Sequence, residues 1–251
     1  MTRAWLAVAL MIAATGAGSM AQELRVTGTP ALVEHPPTPT KTRPPGTVKP
    51  ALVGITDLAG FGILSAGRQK LIETALAVAR NSPWLPYRYG GADPALGGFD
   101  CSGAMFYVLT ECGLSPPRTA AGQYLWLRDH QQLHRVAEDA SASDDPSLSD
   151  LRPGDLLFWA TGDQADDAAS AKITHVAMYL GRETTDGQQI MINATDGRSY
   201  RGTKANGYGV YDFKMPTKDA TAKLVGYGTP PGLADIIKDR KMVPPTIEPT
   251  H

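Results

Sequence analysis

The sequence predicts an α+β fold in which helices come first and an antiparallel sheet follows. Apolar residues recur at helical spacing through residues 68–112. After Pro153-Gly154 the pattern changes to short alternating runs bounded by turn residues. No stretch alternates strand with helix as a βαβ layout requires.

The first residues are expected to lie outside this fold. Arg3 precedes an apolar run from Ala4 to about Ala17, closed by Ser19-Met20-Ala21, a small-x-small pattern. Residues 1–21 therefore read as a secretory signal peptide cut after Ala21, with an uncleaved anchor as the lesser alternative. The run is short for a bilayer span. No Cys follows it, so a lipid anchor is not indicated, and with the peptide cut no stable membrane anchor is expected. Residues 22–50 hold Pro30, Pro36, Pro37, Pro39, Pro44, Pro45 and Pro50, the composition of an extended linker. It reads equally as a spacer or as a tail without a role. The folded domain is placed at residues 51–232 and a tail at 233–251, which contains Pro244-Pro245 and Pro249.

Within the domain, Leu71, Ile72, Ala75, Leu76 and Ala79 mark one face of a helix from Arg68 that stops before Pro83. A Gly-rich loop spans Tyr87-Arg88-Tyr89-Gly90-Gly91 to Gly97-Gly98. A second helix runs from Cys101 to Cys112, with Gly113 as its stop. Its buried stripe is Met105, Val108, Leu109 and Cys112, which makes Cys112 a core residue. A third helix is expected from Arg118 to about His134, then a Ser-rich acidic loop over 138–150. Strands are expected at 155–161, 174–181 and 188–195, with weaker candidates at 210–213 and 222–227.

Composition narrows the function classes. At 42% hydrophobic and 20% charged the chain is an ordinary globular protein. Without residues 1–21, 23 basic stand against 25 acidic residues, a balance of −2. That argues against a polybasic nucleic-acid surface. Two cysteines in an exported chain suggest a disulfide. If both lie on one helix they are roughly 16 Å apart, against a limit of about 7 Å between bridged Cα atoms. Cys101 is then a free thiol.

Cys101 follows Phe99-Asp100 where a loop turns into a helix. The positive end of the helix dipole favours a thiolate there, and the free N–H groups suit an oxyanion. On the strand from Thr174, alternation puts His175, Ala177 and Tyr179 on one face. A hairpin with Gly181 opposite Gly187 would set His175 directly opposite Asn193, on the same face. A one-residue slip would undo that pairing. Cys, His and Asn together are a nucleophile, its base and the group that orients the base.

Five motifs then carry a resemblance. Pro86-Tyr87-Arg88-Tyr89-Gly90-Gly91, Asp100-Cys101-Ser102-Gly103, Arg152-Pro153-Gly154-Asp155-Leu156, His175-Val176-Ala177-Met178-Tyr179-Leu180-Gly181 and Ile192-Asn193-Ala194 occur in the order of the NlpC-type cell-wall cysteine peptidases. Over residues 68–228 the chain resembles these papain-like enzymes. The resemblance implies hydrolysis of amide bonds in peptidoglycan stem peptides, typically between γ-D-glutamate and a diamino acid. Cys101 matches the family nucleophile, His175 the general base and Asn193 the third, orienting residue, where the family often has a second His. Tyr87 matches a Tyr near the oxyanion side. Asp100 and Ser102 match residues that hold substrate in some members, or they cap the helix.

The expected protein is an exported, periplasmic or extracellular, monomeric cysteine endopeptidase. Its partner is peptidoglycan, it takes no cofactor or nucleic acid, and its need for an activator protein is left open. An amidase or acyltransferase of the same fold, and an inactive wall-binding module, are the rival readings. His130 and His134 lack a third ligand, so no metal site is expected. Tyr124, Trp126 and Trp159 read as core or groove lining. Arg118 and Gln123 echo the family in a place where packing and substrate contact are inseparable by sequence.

Overall fold

The computed structural model describes residues 48–82, 84–161 and 172–235. The expected signal peptide, linker residues 22–47 and tail residues 236–251 lie outside the described residues. Helix α1 spans Ala66–Asn81 and buries Leu71, Ile72, Ala75 and Leu76. The Gly-rich loop carries two short paired strands, β1 (Ala92–Asp93) and β2 (Gly98–Phe99). Helix α2 (Cys101–Glu111) follows at once.

Both ends of α2 follow from local sequence. Asp100 caps the start, its carboxylate accepting from the Gly103 amide at 2.6 Å. At the other end Gly113 takes φ +84°, its amide donates to the Thr110 carbonyl at 2.8 Å, and Leu114 donates to Leu109 at 3.0 Å. These are the two bonds of a Schellman stop.

Helix α3 is shorter than expected, Ala120–Asp129. His130 caps it, Gln131 adopts φ +58°, and His134 lies on strand β3 (Leu133–Arg135). His130 and His134 therefore share no helix face. The helical spacing of 118–134 missed a left-handed residue that no Gly announced.

The remaining strands are β4 (Leu156–Thr161), β5 (Ile173–Arg182), β6 (Gln189–Thr195), β7 (Ser199–Tyr200), β8 (Thr203–Lys204), β9 (Gly207–Asp212) and β10 (Ala222–Gly228). Six form one antiparallel sheet in the order β3-β10-β4-β5-β6-β9. The small β7–β8 ribbon is an addition to the expected elements.

The sheet is covered on both faces. Phe158, Val176, Met178, Ile190, Ile192 and Val210 join the helical core with Leu71, Met105 and Leu109. On the opposite face Leu157, Trp159, Ala177, Tyr179, Met191 and Tyr211 pack with Val136 and Leu148. Strand β6 is therefore buried along its whole length. Along and just before β9 the residues at the start of the domain dock, with Val48 bridging Ala205 and Ala51 bridging Val210.

Candidate active site

Cys101 is the first residue of α2, buried but free, as is Cys112. Asp100 is fixed from several sides. It accepts from the Gly90 amide at 2.9 Å and from Ser102 Oγ at 3.2 Å, and pairs with the Arg118 guanidinium at 2.9 Å. Arg118 also donates to Ser102 Oγ and to the Gly91 carbonyl, both at 3.1 Å. Gln123, fully buried, donates to the Ser102 carbonyl at 3.0 Å. Gly103 lets this happen: a Cβ there would stand 1.9 Å from the Gly91 carbonyl oxygen. Asp100 and Ser102 are thus engaged in capping and in the Arg118 network. The structure connects Arg118 and Gln123 to that cap.

The base side is built by two irregularities in β5. One lies between the pairs Trp159↔His175 and Ala160↔Ile173, immediately before His175. The other passes over Leu180, between Gly181↔Ile190 and Tyr179↔Met191. The hairpin register therefore differs from the expected one. His175 is not directly opposite Asn193. Met178 pairs with Ile192, so Asn193 falls two residues along, level with Ala177. The slip is even, so His175 and Asn193 keep one face. Their side chains still meet on the diagonal, with Asn193 Nδ2 2.6 Å from His175 Nε2.

The bulge decides this outcome. Continued without it, the Arg182↔Gln189 register would put Asn193 opposite Met178, in the apolar core beneath the helices. Gly181 makes the bulge feasible with φ +103°.

Electrostatics reverse one expectation. Burial pushes the Cys101 thiol up, the Asp100 carboxylate adds to this, and the Val176, Ser102 and Cys101 amides oppose it. The helix start therefore does not hold a resting thiolate. Loss of hydration pulls His175 down to about 3, and the Arg198 guanidinium adds to the shift. Both partners rest neutral. Tyr87 is raised to about 12, by burial first and then by Cys101 and Asp100, so its hydroxyl stays a donor.

Asn193 is fully buried, and its Oδ1 has no partner among the described residues. Turning the amide over about Cβ–Cγ brings Oδ1 to Nε2, where it accepts from a protonated ring nitrogen. That orientation leaves Nδ1 as the basic nitrogen.

Two residues here were not singled out for the site from sequence. Trp159, read as core or groove lining, lies with its ring centroid 5.4 Å from that of His175. Arg198 stacks over Trp159, Cζ 4.4 Å from the ring centroid. The only sequence signal for Arg198 is its place in the turn just after the strand that carries Asn193.

Residues 85–214 match the NlpC/P60 family. The chain is 35% identical over 154 residues to the probable endopeptidase p60 of Listeria monocytogenes, covering 61% of this chain and 23% of that protein. It is 32% identical over 146 residues to the murein DD-endopeptidase MepH of Escherichia coli, covering 54% and 46%. It is 34% identical over 97 residues to the γ-D-glutamyl-L-lysine dipeptidyl-peptidase of Bacillus subtilis, covering 39% and 25%. The chain thus spans about a quarter to a half of the length of these curated relatives.

Proposed function

We propose, from the premise that this chain belongs to the NlpC/P60 family, that it is an exported cysteine endopeptidase of peptidoglycan stem peptides. The bond cut is the amide between γ-D-glutamate and the following diamino acid. The observation that carries this reading is the His175–Asn193 contact at 2.6 Å, on the strand whose Val176 amide faces the Cys101 sulfur.

The reaction runs by covalent catalysis from a neutral pair. Cys101 Sγ attacks the scissile carbonyl carbon as its proton passes to His175 Nδ1. The carbonyl π electrons move to oxygen, which the Cys101 and Ser102 amides at the start of α2 and the Tyr87 hydroxyl receive. Gly103's amide is not a donor here, because Asp100 already holds it. The imidazolium, held by Asn193 Oδ1 on Nε2–H, returns its proton to the leaving amine as the C–N bond breaks. Water, deprotonated by His175, then cleaves the thioester to a carboxylate and the free thiol.

Names of relatives point to two different bonds, a murein DD bond and a γ-D-glutamyl-L-lysine bond, so product chemistry is the test. Mass spectrometry after incubating sacculi and isolated muropeptides with the protein and with Cys101→Ser is expected to show fragments ending at D-glutamate, absent with the variant. Cys101-dependent cleavage elsewhere would replace the bond assignment. Retention on the wall without any product would favour a binding module.

A further inference from the structure

Arg198 is a charged residue beside Trp159 and His175 that the reaction above does not use. Its guanidinium lies over the Trp159 indole at 4.4 Å, and Trp159 in turn packs on His175. Other arginines near the domain's polar clusters are neutralised: Arg68 by Asp155 at 2.9 Å, Arg118 by Asp100 at 2.9 Å, Arg201 by Glu183 at 2.8 Å. Among the described residues no carboxylate or carbonyl meets Arg198; the indole face is its partner. A cation–π contact is worth about 0.5–2 kcal/mol, and leaves the in-plane N–H fork of a guanidinium free for a planar anion. Burial lowers Arg198 only to about 10, so it is a cation at neutral pH.

While it stands alone that cation works against protonation of His175, although it favours an ionised Cys101. It depresses His175, the group that must take up a proton. An anion on Arg198 removes the opposition. The substrate supplies one, since a glutamyl residue linked through its side chain keeps a free α-carboxylate. That group lies four bonds from the scissile carbonyl, roughly 5 Å when extended.

We propose that Arg198, braced on Trp159 beside Cys101 and His175, is a substrate-binding residue that takes the free α-carboxylate of the γ-linked glutamyl donor. This assignment rests on the γ-glutamyl reading above. Binding the carboxylate then serves twice. It orients the acyl group, and it relieves the part of the His175 depression that comes from Arg198, burial being the larger cause. The same peptide carrying an α-carboxamide gives neither benefit.

Two readouts test it on the full chain and on Arg198→Gln and Arg198→Lys. The first needs no peptide: the rates of Cys101 alkylation by iodoacetate and by iodoacetamide, reagents of similar size differing in the carboxylate. The protein is expected to favour iodoacetate several-fold more than free cysteine does, with the preference lost in Arg198→Gln and kept in Arg198→Lys. The second is kcat/KM for γ-D-glutamyl and γ-D-isoglutaminyl peptides. A roughly 10–100-fold preference for the carboxylate is expected, the range of a charge-assisted bond, abolished in Arg198→Gln through loss on the carboxylate peptide.

Equal loss on both reagents or both peptides would make Arg198 a packing residue and overturn the proposal. An unchanged preference in Arg198→Gln would do the same. If neither peptide is cut but the iodoacetate preference is present and depends on Arg198, the anion site stands and the peptidase reading falls. Should Arg198→Gln not fold, the unmodified protein compared with free cysteine decides, and no preference overturns the proposal.

Discussion

Asn193 reaches His175 across a diagonal of the sheet, Nδ2 to Nε2 at 2.6 Å, although the backbone pairs Asn193 with Gly209 on the next strand. The contact exists because one residue of β5 is passed over at Leu180. The first expected outcome concerns Gly181, which sits at that bulge with φ +103° and whose Cβ would lie 3.0 Å from Pro153 Cγ. Gly181→Ala is expected to cost about 1–2 kcal/mol and to lower kcat while KM holds. Denaturant melts and steady-state kinetics check this. A destabilised protein with unchanged kcat would show that the bulge does not set the His175–Asn193 alignment.

Asn193→Ala is expected to lower kcat about 100-fold, the usual effect of misplacing a catalytic group by about 1 Å. Asn193→His is expected to keep most activity but to change the acid limb of the pH profile, as a second ionisable imidazole stands beside His175. Comparison of pH–kcat profiles reads this, and identical acid limbs in both proteins would argue against a direct Asn193–His175 role.

Because the Cys101 thiol is raised by burial and His175 is lowered, the resting pair is thiol and neutral imidazole. Alkylation of Cys101 by iodoacetamide is therefore expected to climb with pH into the range above 9. Slow alkylation at neutral pH would here mark a buried nucleophile, not an inert one. A plateau between pH 5 and 8 would instead reveal a stable thiolate–imidazolium pair.

The same lowering of His175 makes stability depend on pH. In the unfolded chain His175 takes a proton near pH 6.5, while in the fold it does so only near 3. The unfolded state therefore binds more protons between these values. Stability is complete above about 6.5 and falls as pH drops toward 3. The melting temperature of His175→Gln is expected to fall less steeply across that window, and parallel slopes would assign the acid sensitivity elsewhere.

Arg118→Met removes the partner of Asp100, leaving its carboxylate to the Gly90 and Gly103 amides and Ser102. A loss of about 1–3 kcal/mol is expected, read from the denaturant midpoint. An unchanged midpoint would mean the amides alone satisfy Asp100.

Much of this molecule was legible in the linear chain. Periodicity found α1 and α2, and Gly113 marked the end of α2, because the apolar period and a left-handed stop are local properties. The strands at 155–161, 174–181 and 188–195 were legible for the same reason, as was the candidate trio Cys101, His175 and Asn193. The end of α3 was not, since Gln131 carries φ +58° without being Gly or Asn.

What tertiary structure alone decided is how the groups meet and what charge they carry. The register of β5 against β6 depends on a bulge, which turns on how Leu180 and Gly181 pack, not on alternation. The charge state of Cys101 depends on burial, which outweighs the helix start that sequence position reveals. Arg198 belongs to the site because the sheet folds its turn back over Trp159. Sequence names the residues able to do chemistry; dielectric and register, which need the whole fold, decide the terms on which they do it.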